Sequence, residues 1–300
     1  MKMKGCVVFI VFLLVMACSG KEKEEKIDLQ QVKENREGLD YRDRAEHDIF
    51  SRLDELLKQW HNAQRTMDPY AFDIERELND LSRSYFSEIV NSLRGEKGYI
   101  AAAALGFTED IRAIPYLIEV LEKGPSSTRS NAAMSIGHIG SNQTPMEPLF
   151  KSLQEDPEGS VRSMVAFAIA QIVKKEKDEG ALPHLLRALK DSSPAVRNNV
   201  VMALEKIGNE EGAKAILSSS LYDEHPLVRY NSIRAMGTLK RKDAVVPIIK
   251  LLRDPVADVR GAAHAVLQNL TGKKFGPEPG KWEEWADVPS TPVVPKTPEK

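Results

Sequence analysis

The stretch Asp191-Ser192-Ser193-Pro194-Ala195-Val196-Arg197-Asn198-Asn199-Val200-Val201 decides the fold. Its turn, rich in Asp, Ser and Pro, joins one short amphipathic segment, Ala181 to Leu189, to another, Val196 to Ile207, so the unit reads as a pair of helices. The same pattern recurs on both sides. Thr128-Arg129-Ser130-Asn131-Ala132-Ala133, Val161-Arg162-Ser163-Met164-Val165-Ala166, Val228-Arg229-Tyr230-Asn231-Ser232-Ile233 and Val259-Arg260-Gly261-Ala262-Ala263-His264 align with Val196 to Val201 without gaps, and successive arginines lie 33, 35, 32 and 31 residues apart. An independent ladder upstream, Pro115, Pro148, Pro183, Ala215 and Pro247, advances by 33, 35, 32 and 32. A pair of short helices cannot bury its apolar face alone, whereas stacked neighbours close one continuous core. The expected fold class is therefore all-α: an α-solenoid of short helix pairs over residues 96–287, ending in a C-terminal cap.

Outward from the repeats, residues 41–95 read as a helical hairpin that precedes the solenoid. Ile49, Leu53, Leu56, Leu57 and Trp60 recur at the spacing of one helix face. After Asp68-Pro69 a second stripe, Ile74, Leu78, Leu81, Tyr85, Ile89 and Leu93, runs to a stop near Gly95, with Pro69 expected at the first helical position. Residues 18–40 are polar and mixed in sign, a flexible tether. At the other end, residues 288–300 place proline at every third position from Pro289 to Pro298, a Pro-rich tail expected to be disordered. Of the 300 residues, 42% are hydrophobic and 29% charged, enough to build a core, and the formal charge of −2 argues against a strongly basic nucleic-acid binder.

The compartment is read from the first residues. Lys2 and Lys4 precede an unbroken apolar run from Cys6 to Cys18, a positive segment followed by a secretory one that is too short to span a bilayer, for which roughly 20 apolar residues are needed. Leu14-Val15-Met16-Ala17-Cys18 resembles a bacterial lipobox, although Met16 is larger than usual at its position. The resemblance implies that residues 1–17 are a lipoprotein signal peptide, that Cys18 carries the lipid, and that the mature protein is a lipid-anchored component of the cell envelope. Ser19 is not the aspartate that retains such proteins in an inner membrane, so the outer membrane is expected if the source is Gram-negative. Two or three acyl chains anchor stably where one does not. Cys6 and Cys18 are the two cysteines of the chain, so no disulfide framework or four-thiolate metal site can be built within it.

The pattern Asp-Pro-x-x-x-Val-Arg, then small residues, then Ala-Leu-Gly-x-Ile-Gly, resembles the short bacterial HEAT repeats also called phycobilin-lyase-like HEAT repeats. Ala104-Leu105-Gly106 and Ile136-Gly137-His138-Ile139-Gly140 are its clearest copies. The resemblance covers about Gly98 to Asp287, with a degenerate unit at Tyr99–Thr108. Leu270-Thr271-Gly272-Lys273-Lys274-Phe275-Gly276, followed by Trp282 and Trp285, looks like the segment that closes many such arrays. Physically, the three aromatic rings can cover the last apolar face, and a ligand-binding aromatic box is the rival reading. The repeating arginines are read first as structural: Asp156, Asp191, Asp223 and Asp254 recur at the matching turns and can cap turn amides while pairing with arginine across neighbouring units.

Catalytic groupings are scarce. There is no His-Glu-x-x-His, no Gly-rich phosphate loop, no Gly-x-Ser-x-Gly and no Cys/His cluster. Glu46-His47 and Glu224-His225 have the opposite order to the His-Glu pairs of HEAT-repeat di-iron hydroxylases, so the resemblance carries no metal site over, and no bilin-handling set matches. The expectation is a chain that is not an enzyme, with no catalytic residues, no metal, no cofactor, no nucleic-acid partner and no small-molecule substrate. What stands out is a face. In each second helix the positions that the repeat leaves free fall at i, i+4 and i+8 and form one row per unit. In HEAT-like arrays the second helices line the concave surface, so Tyr99, Phe107, Met134, Phe167, Met202, Tyr230 and Arg234 are the candidate residues for binding a protein or peptide partner. The competing expectation is that tight curvature buries them. The function expected is noncovalent scaffolding near a membrane, to which the lipid on Cys18 attaches it. The alternatives are a HEAT-repeat enzyme of bilin-lyase-like or oxidoreductase-like type, or a purely structural envelope component.

Overall fold

The structure, a computed structural model, describes residues 49–174 and 179–287. Cys18, the signal peptide, the tether, the first residues of the hairpin and the Pro-rich tail lie outside them. The described residues form fifteen α-helices joined by short turns, with no strand among them. The chain divides into two compact units, at Tyr85 and Phe86.

The first unit contains α1 (Ile49–Thr66) and α2 (Ala71–Ser84), packed through Phe50, Leu53, Leu56, Leu57 and Trp60 on one side and Ile74 and Leu78 on the other. Arg52 crosses between the helices to Glu77 at 2.5 Å. The connecting turn holds Met67 in the left-handed region (φ 54°), and Asp68 accepts the Tyr70 amide at 2.9 Å. Pro69 therefore lies in the turn, and α2 begins later than the sequence suggests. The second stripe is also not one helix: it breaks at Tyr85, and α3 (Phe86–Ser92) starts the second unit.

The second unit is the solenoid. Its first-position helices are α3, α5 (Ile114–Lys123), α7 (Met146–Glu155), α9 (Leu182–Ala188), α11 (Glu210–Ser218), α13 (Val245–Leu251) and α15 (Pro279–Ala286). Its second-position helices are α4 (Gly98–Gly106), α6 (Ser126–Ile139), α8 (Gly159–Ile172), α10 (Pro194–Ile207), α12 (Pro226–Thr238) and α14 (Ala257–Thr271). Each second helix packs on the second helices before and after it, and α4, α6, α8, α10, α12 and α14 form one continuous layer. The proline ladder marks the first turns of α5, α7, α9 and α13, where the missing N–H would have no helical partner anyway. Ala215 breaks the ladder for a physical reason. The helix α11 starts at Glu210, so this position is helix interior, where proline would remove a hydrogen bond. Gly208 ends α10 in the left-handed conformation (φ 69°), which a side chain would strain.

The last aromatic group acts as an end cover. Trp282 is fully buried and donates its indole N–H to the Gly276 carbonyl at 2.8 Å, with Phe275 edge-on at 5.0 Å between centroids. Trp285 packs beside it and remains 42% exposed.

Candidate functional site

The repeat arginines form a ladder of ion pairs. Arg129 grips Asp156, Arg162 grips Asp191, Arg197 grips Asp223 and Arg229 grips Asp254, each through Nε and Nη2 to the two carboxylate oxygens at 2.7–2.9 Å. Every aspartate belongs to the repeat after its arginine. It also accepts the amide two residues further on, from Glu158, Ser193, His225 and Val256 respectively, so one carboxylate closes its own turn and ties two repeats together. Burial raises the Asp191 carboxyl, but the bonds from Arg162 and the Ser193 amide outweigh it and hold the group below its ordinary value. The Asp223 bond correspondingly raises Arg197. These arginines are structural ties, as their recurrence beside the turn aspartates suggests.

A second, polar ladder runs through the second-helix layer. Asn131 Nδ2 donates to the Tyr99 carbonyl at 2.8 Å, Asn199 Nδ2 to the Ser163 carbonyl at 2.9 Å, and Asn231 Nδ2 to Asn198 Oδ1 at 2.6 Å. In each case the residue two past the repeat-arginine position reaches the residue one past that position in the preceding repeat. The sequence shows these asparagines, but nothing in their spacing reveals that they bond backward rather than outward.

The candidate row splits into two parts. Phe107, Met134 and Phe167 are buried at 4%, 4% and 3% exposure, so the expectation of a continuous open apolar stripe is corrected there. The cause is close helix packing over small residues: a Cβ added to Gly137 would lie 2.9 Å from both the Ala168 Cα and the Phe167 ring. His138 fills the remaining space, edge-on to Phe107 at 5.9 Å and to Phe167 at 6.0 Å. Tyr99, at the start of the row, is 41% exposed. Beyond α8 the row opens after Asn198, which is still buried. Met202 and Tyr230 are half-buried, and Lys206, Arg234, Thr238, Ala265 and Asn269 are exposed. Lys206 lies over the end of α8, with its ammonium on the Ala170 and Gln171 carbonyls at 2.8 and 2.6 Å, where the helix dipole favours a cation. Among the described residues no carboxylate bonds Arg234. On the other side of the array, a shallow groove of about 340 Å³ lies beside the Arg129–Asp156 pair, lined by Leu121, Lys123, Pro148, Lys151 and Glu155. Its charges are balanced.

Histidine and carboxylate groups are dispersed. No group of three or more His, Cys, Asp or Glu among the described residues could hold a metal ion. Of the two Glu-His pairs, Glu46-His47 lies outside the described residues. Glu224 bonds Arg197 at 3.1 Å, and the His225 ring accepts the Leu227 amide at 3.3 Å as the cap of α12. Burial lowers the His225 pKa. This pair serves a rung of the ladder and does not fit a di-iron donor set.

Comparison with known proteins agrees with the repeat geometry. Residues 146–225 match the family model for HEAT repeats, and residues 99–123 and 228–254 match that for PBS lyase HEAT-like repeats. Over 145 residues the chain is 29% identical to a deoxyhypusine hydroxylase of Candida albicans; the matched part is 45% of this chain and 44% of that protein, under half the length of the relative. Among solved structures, computationally designed armadillo repeat proteins for modular peptide recognition are 21% identical, with 63% of this chain and 100% of that one covered and a TM-score of 0.47. Human deoxyhypusine hydroxylase in complex with glycerol is 17% identical, with 75% and 98% covered and a TM-score of 0.35. Both superpositions are loose. The identity to the Candida albicans hydroxylase corrects the expectation that this chain is not an enzyme, since nearly half of it aligns with one.

Proposed function

We propose that this chain, whose repeats are HEAT and PBS lyase HEAT-like repeats, is a noncovalent protein-binding scaffold that takes its partner on the open half of the second-helix face and is held at a membrane by a lipid on Cys18. The observation that carries the reading is the change in the row beyond α8. There the half-buried Met202 and Tyr230 stand beside Lys206 and Arg234, and the row itself contains no carboxylate. Met and Tyr supply adaptable contact area, and the arginine selects acidic groups. The partner is thus an extended protein segment that carries acidic side chains and at least one apolar anchor. No helix among the described residues is long and apolar enough to cross a membrane, so attachment in this reading rests on the lipid. A photo-reactive residue placed at Tyr230 is expected to form an adduct in native membranes that Arg234→Glu removes, and one at Met134 to form none. Equal adducts at both positions would contradict the reading. Cys18→Ser is expected to abolish lipid labelling and membrane retention; unchanged labelling would refute the anchor.

A second reading rests on the 29% identity to deoxyhypusine hydroxylase: an enzyme that oxidises a side chain of a bound protein. Incubation of the purified chain with a deoxyhypusine-bearing protein, dioxygen and a two-electron reductant, followed by mass analysis for one inserted oxygen, the other oxygen atom leaving as water, decides it. Gain of oxygen by that residue supports this reading, and its absence leaves the binding reading alone.

A further inference from the structure

The four paired arginines share one geometry, and Arg260 has half of it. In each pair Nη1 donates to a carbonyl of the turn before its own helix, for example Arg197 to Asp191 at 2.8 Å and Arg229 to Asp223 at 2.9 Å, which sets the guanidinium plane. Nε and Nη2 are then aimed at the aspartate of the next repeat. Arg260 Nη1 makes the same bonds, to the Asp254 carbonyl at 2.8 Å and the Pro255 carbonyl at 3.0 Å. Its Nη1 is anchored like those of the other four, yet among the described residues no carboxylate reaches Nε or Nη2, and the residue is exposed.

Among the described residues the next rung is incomplete. The helix α15 supplies the first helix of one more repeat, fixed by the buried Trp282 and by Glu283, which takes Arg253 at 2.8 and 2.9 Å. No second helix follows it among the described residues. The position one past the arginine is buried at Ser163 and Asn198 and half-buried at Ser130 and Tyr230, but exposed at Gly261. The later turns of α14 are covered: His264 and Gln268 both reach the Phe275 carbonyl, at 3.0 and 3.1 Å. The open part is therefore the start of α14, around the fork. Asp287 stands as far along the chain from Arg260 as Asp156 does from Arg129, but it is exposed, lies in the left-handed region (φ 52°) and does not bond Arg260. The paired aspartates Asp156 and Asp223 are extended.

We propose that Arg260, with Ala257, Gly261 and Ala265, is a binding site for a carboxylate supplied by a partner protein, specifically an aspartate in the turn two residues before the N-cap of a helix. The ligand class follows from the four occupied forks, each filled by such an aspartate. A second copy of this chain is a poor occupant, because its own turn aspartates are already paired and its first second-position helix, α4, is buried everywhere except at Tyr99. The site adjoins the open row through Gly261 and Ala265 and differs from it in chemistry: it lies at the end of the array and selects a planar carboxylate through a guanidinium fork, which lysine cannot reproduce.

The test is a nuclear magnetic resonance titration of the full chain with a synthetic peptide copying residues 223–239, the Asp223 turn with α12, against the same peptide carrying Asp223→Asn. Saturable shifts are expected at the Arg260 Nε–H and at the Gly261 and Ala265 amides, with affinity weaker by about tenfold or more for the asparagine peptide and for Arg260→Gln and Arg260→Lys. Arg260→Gln is expected to melt as the parent does, whereas Arg197→Gln melts earlier. Shifts that fail to saturate, or that persist equally in Arg260→Gln or with the asparagine peptide, overturn the proposal. Binding that emerges only in Asp287→Asn overturns it too, because the chain's own carboxylate would then fill the fork, as does a loss of melting temperature in Arg260→Gln as large as in Arg197→Gln.

Discussion

The second-helix face has two halves built on one repeat pattern, and they differ in what they leave accessible. From α4 to α8, Phe107, Met134, His138 and Phe167 lean across the helix boundaries and interlock over Gly137, so the row becomes core. From α10 to α14 the same positions hold Met202, Lys206, Tyr230, Arg234 and Ala265, which interlock less or are too polar to be covered, and the row stays at the surface. Repeat register fixes where a side chain projects; its size and polarity decide whether the neighbouring helix closes over it. The first half therefore contributes cohesion, and the second half is the part to which the proposed reading assigns recognition.

Substitutions separate the two. The largest effect is expected in the sealed half and its ties. Phe167→Ala should cost about 3–5 kcal/mol of unfolding free energy by chemical denaturation, against under about 1 kcal/mol for Tyr230→Ala at the half-buried end. A loss in Tyr230→Ala as large as in Phe167→Ala would erase the distinction. Arg229→Gln should be comparably severe, about 3–5 kcal/mol, because it leaves Asp254, whose side chain is 2% exposed, charged and unpaired. Gly137→Val should cost about 1–3 kcal/mol, since its branches meet the Phe167 ring and the Ala168 backbone; no loss would mean that the helices are less closely apposed.

Acid should act through the Asp191 rung. The folded carboxyl of Asp191 titrates below its unfolded value, so the stability it contributes is complete above the ordinary carboxylate value of about 3.9 and is lost as the pH falls through the lower, folded value. A melting curve followed downward from pH 5 should fall, and fall less steeply in Asp191→Asn. Identical slopes would remove this aspartate from the account. The smallest effect on stability is expected at Arg234→Glu, within about 0.5 kcal/mol, although binding should be lost.

Much of this architecture was legible in the sequence because repetition amplifies weak signals. One Asp-x-x-x-x-Val-Arg turn is ambiguous, but recurrence at near-equal steps made helix pairs and arginine–aspartate ties readable, and the structure places Arg197 on Asp223 accordingly. The split in the row was not legible. Phe167 and Met202 are both large and apolar at the same repeat position, and what separates them is the approach of the neighbouring helix, set by small residues in adjacent repeats such as Gly137. The break at Tyr85 was missed for a related reason: the 3–4 spacing of Leu81, Tyr85 and Ile89 continues across it, so periodicity alone hides the end of α2. The similarity to a hydroxylase was legible only as the alternative of an oxidoreductase-like HEAT-repeat enzyme, because it resides in overall identity and the Glu-His pairs stand in the reverse order to the motif.

The division of the face is tested most directly by selecting peptides from a displayed random library on the intact, immobilised chain and repeating the selection on Arg234→Glu and on Ile111→Ser, an exposed position away from the row. The account predicts enriched sequences with acidic residues and an apolar anchor, retained on Ile111→Ser and lost on Arg234→Glu. Enrichment of basic or neutral sequences, or of acidic ones that survive Arg234→Glu unchanged, would contradict it.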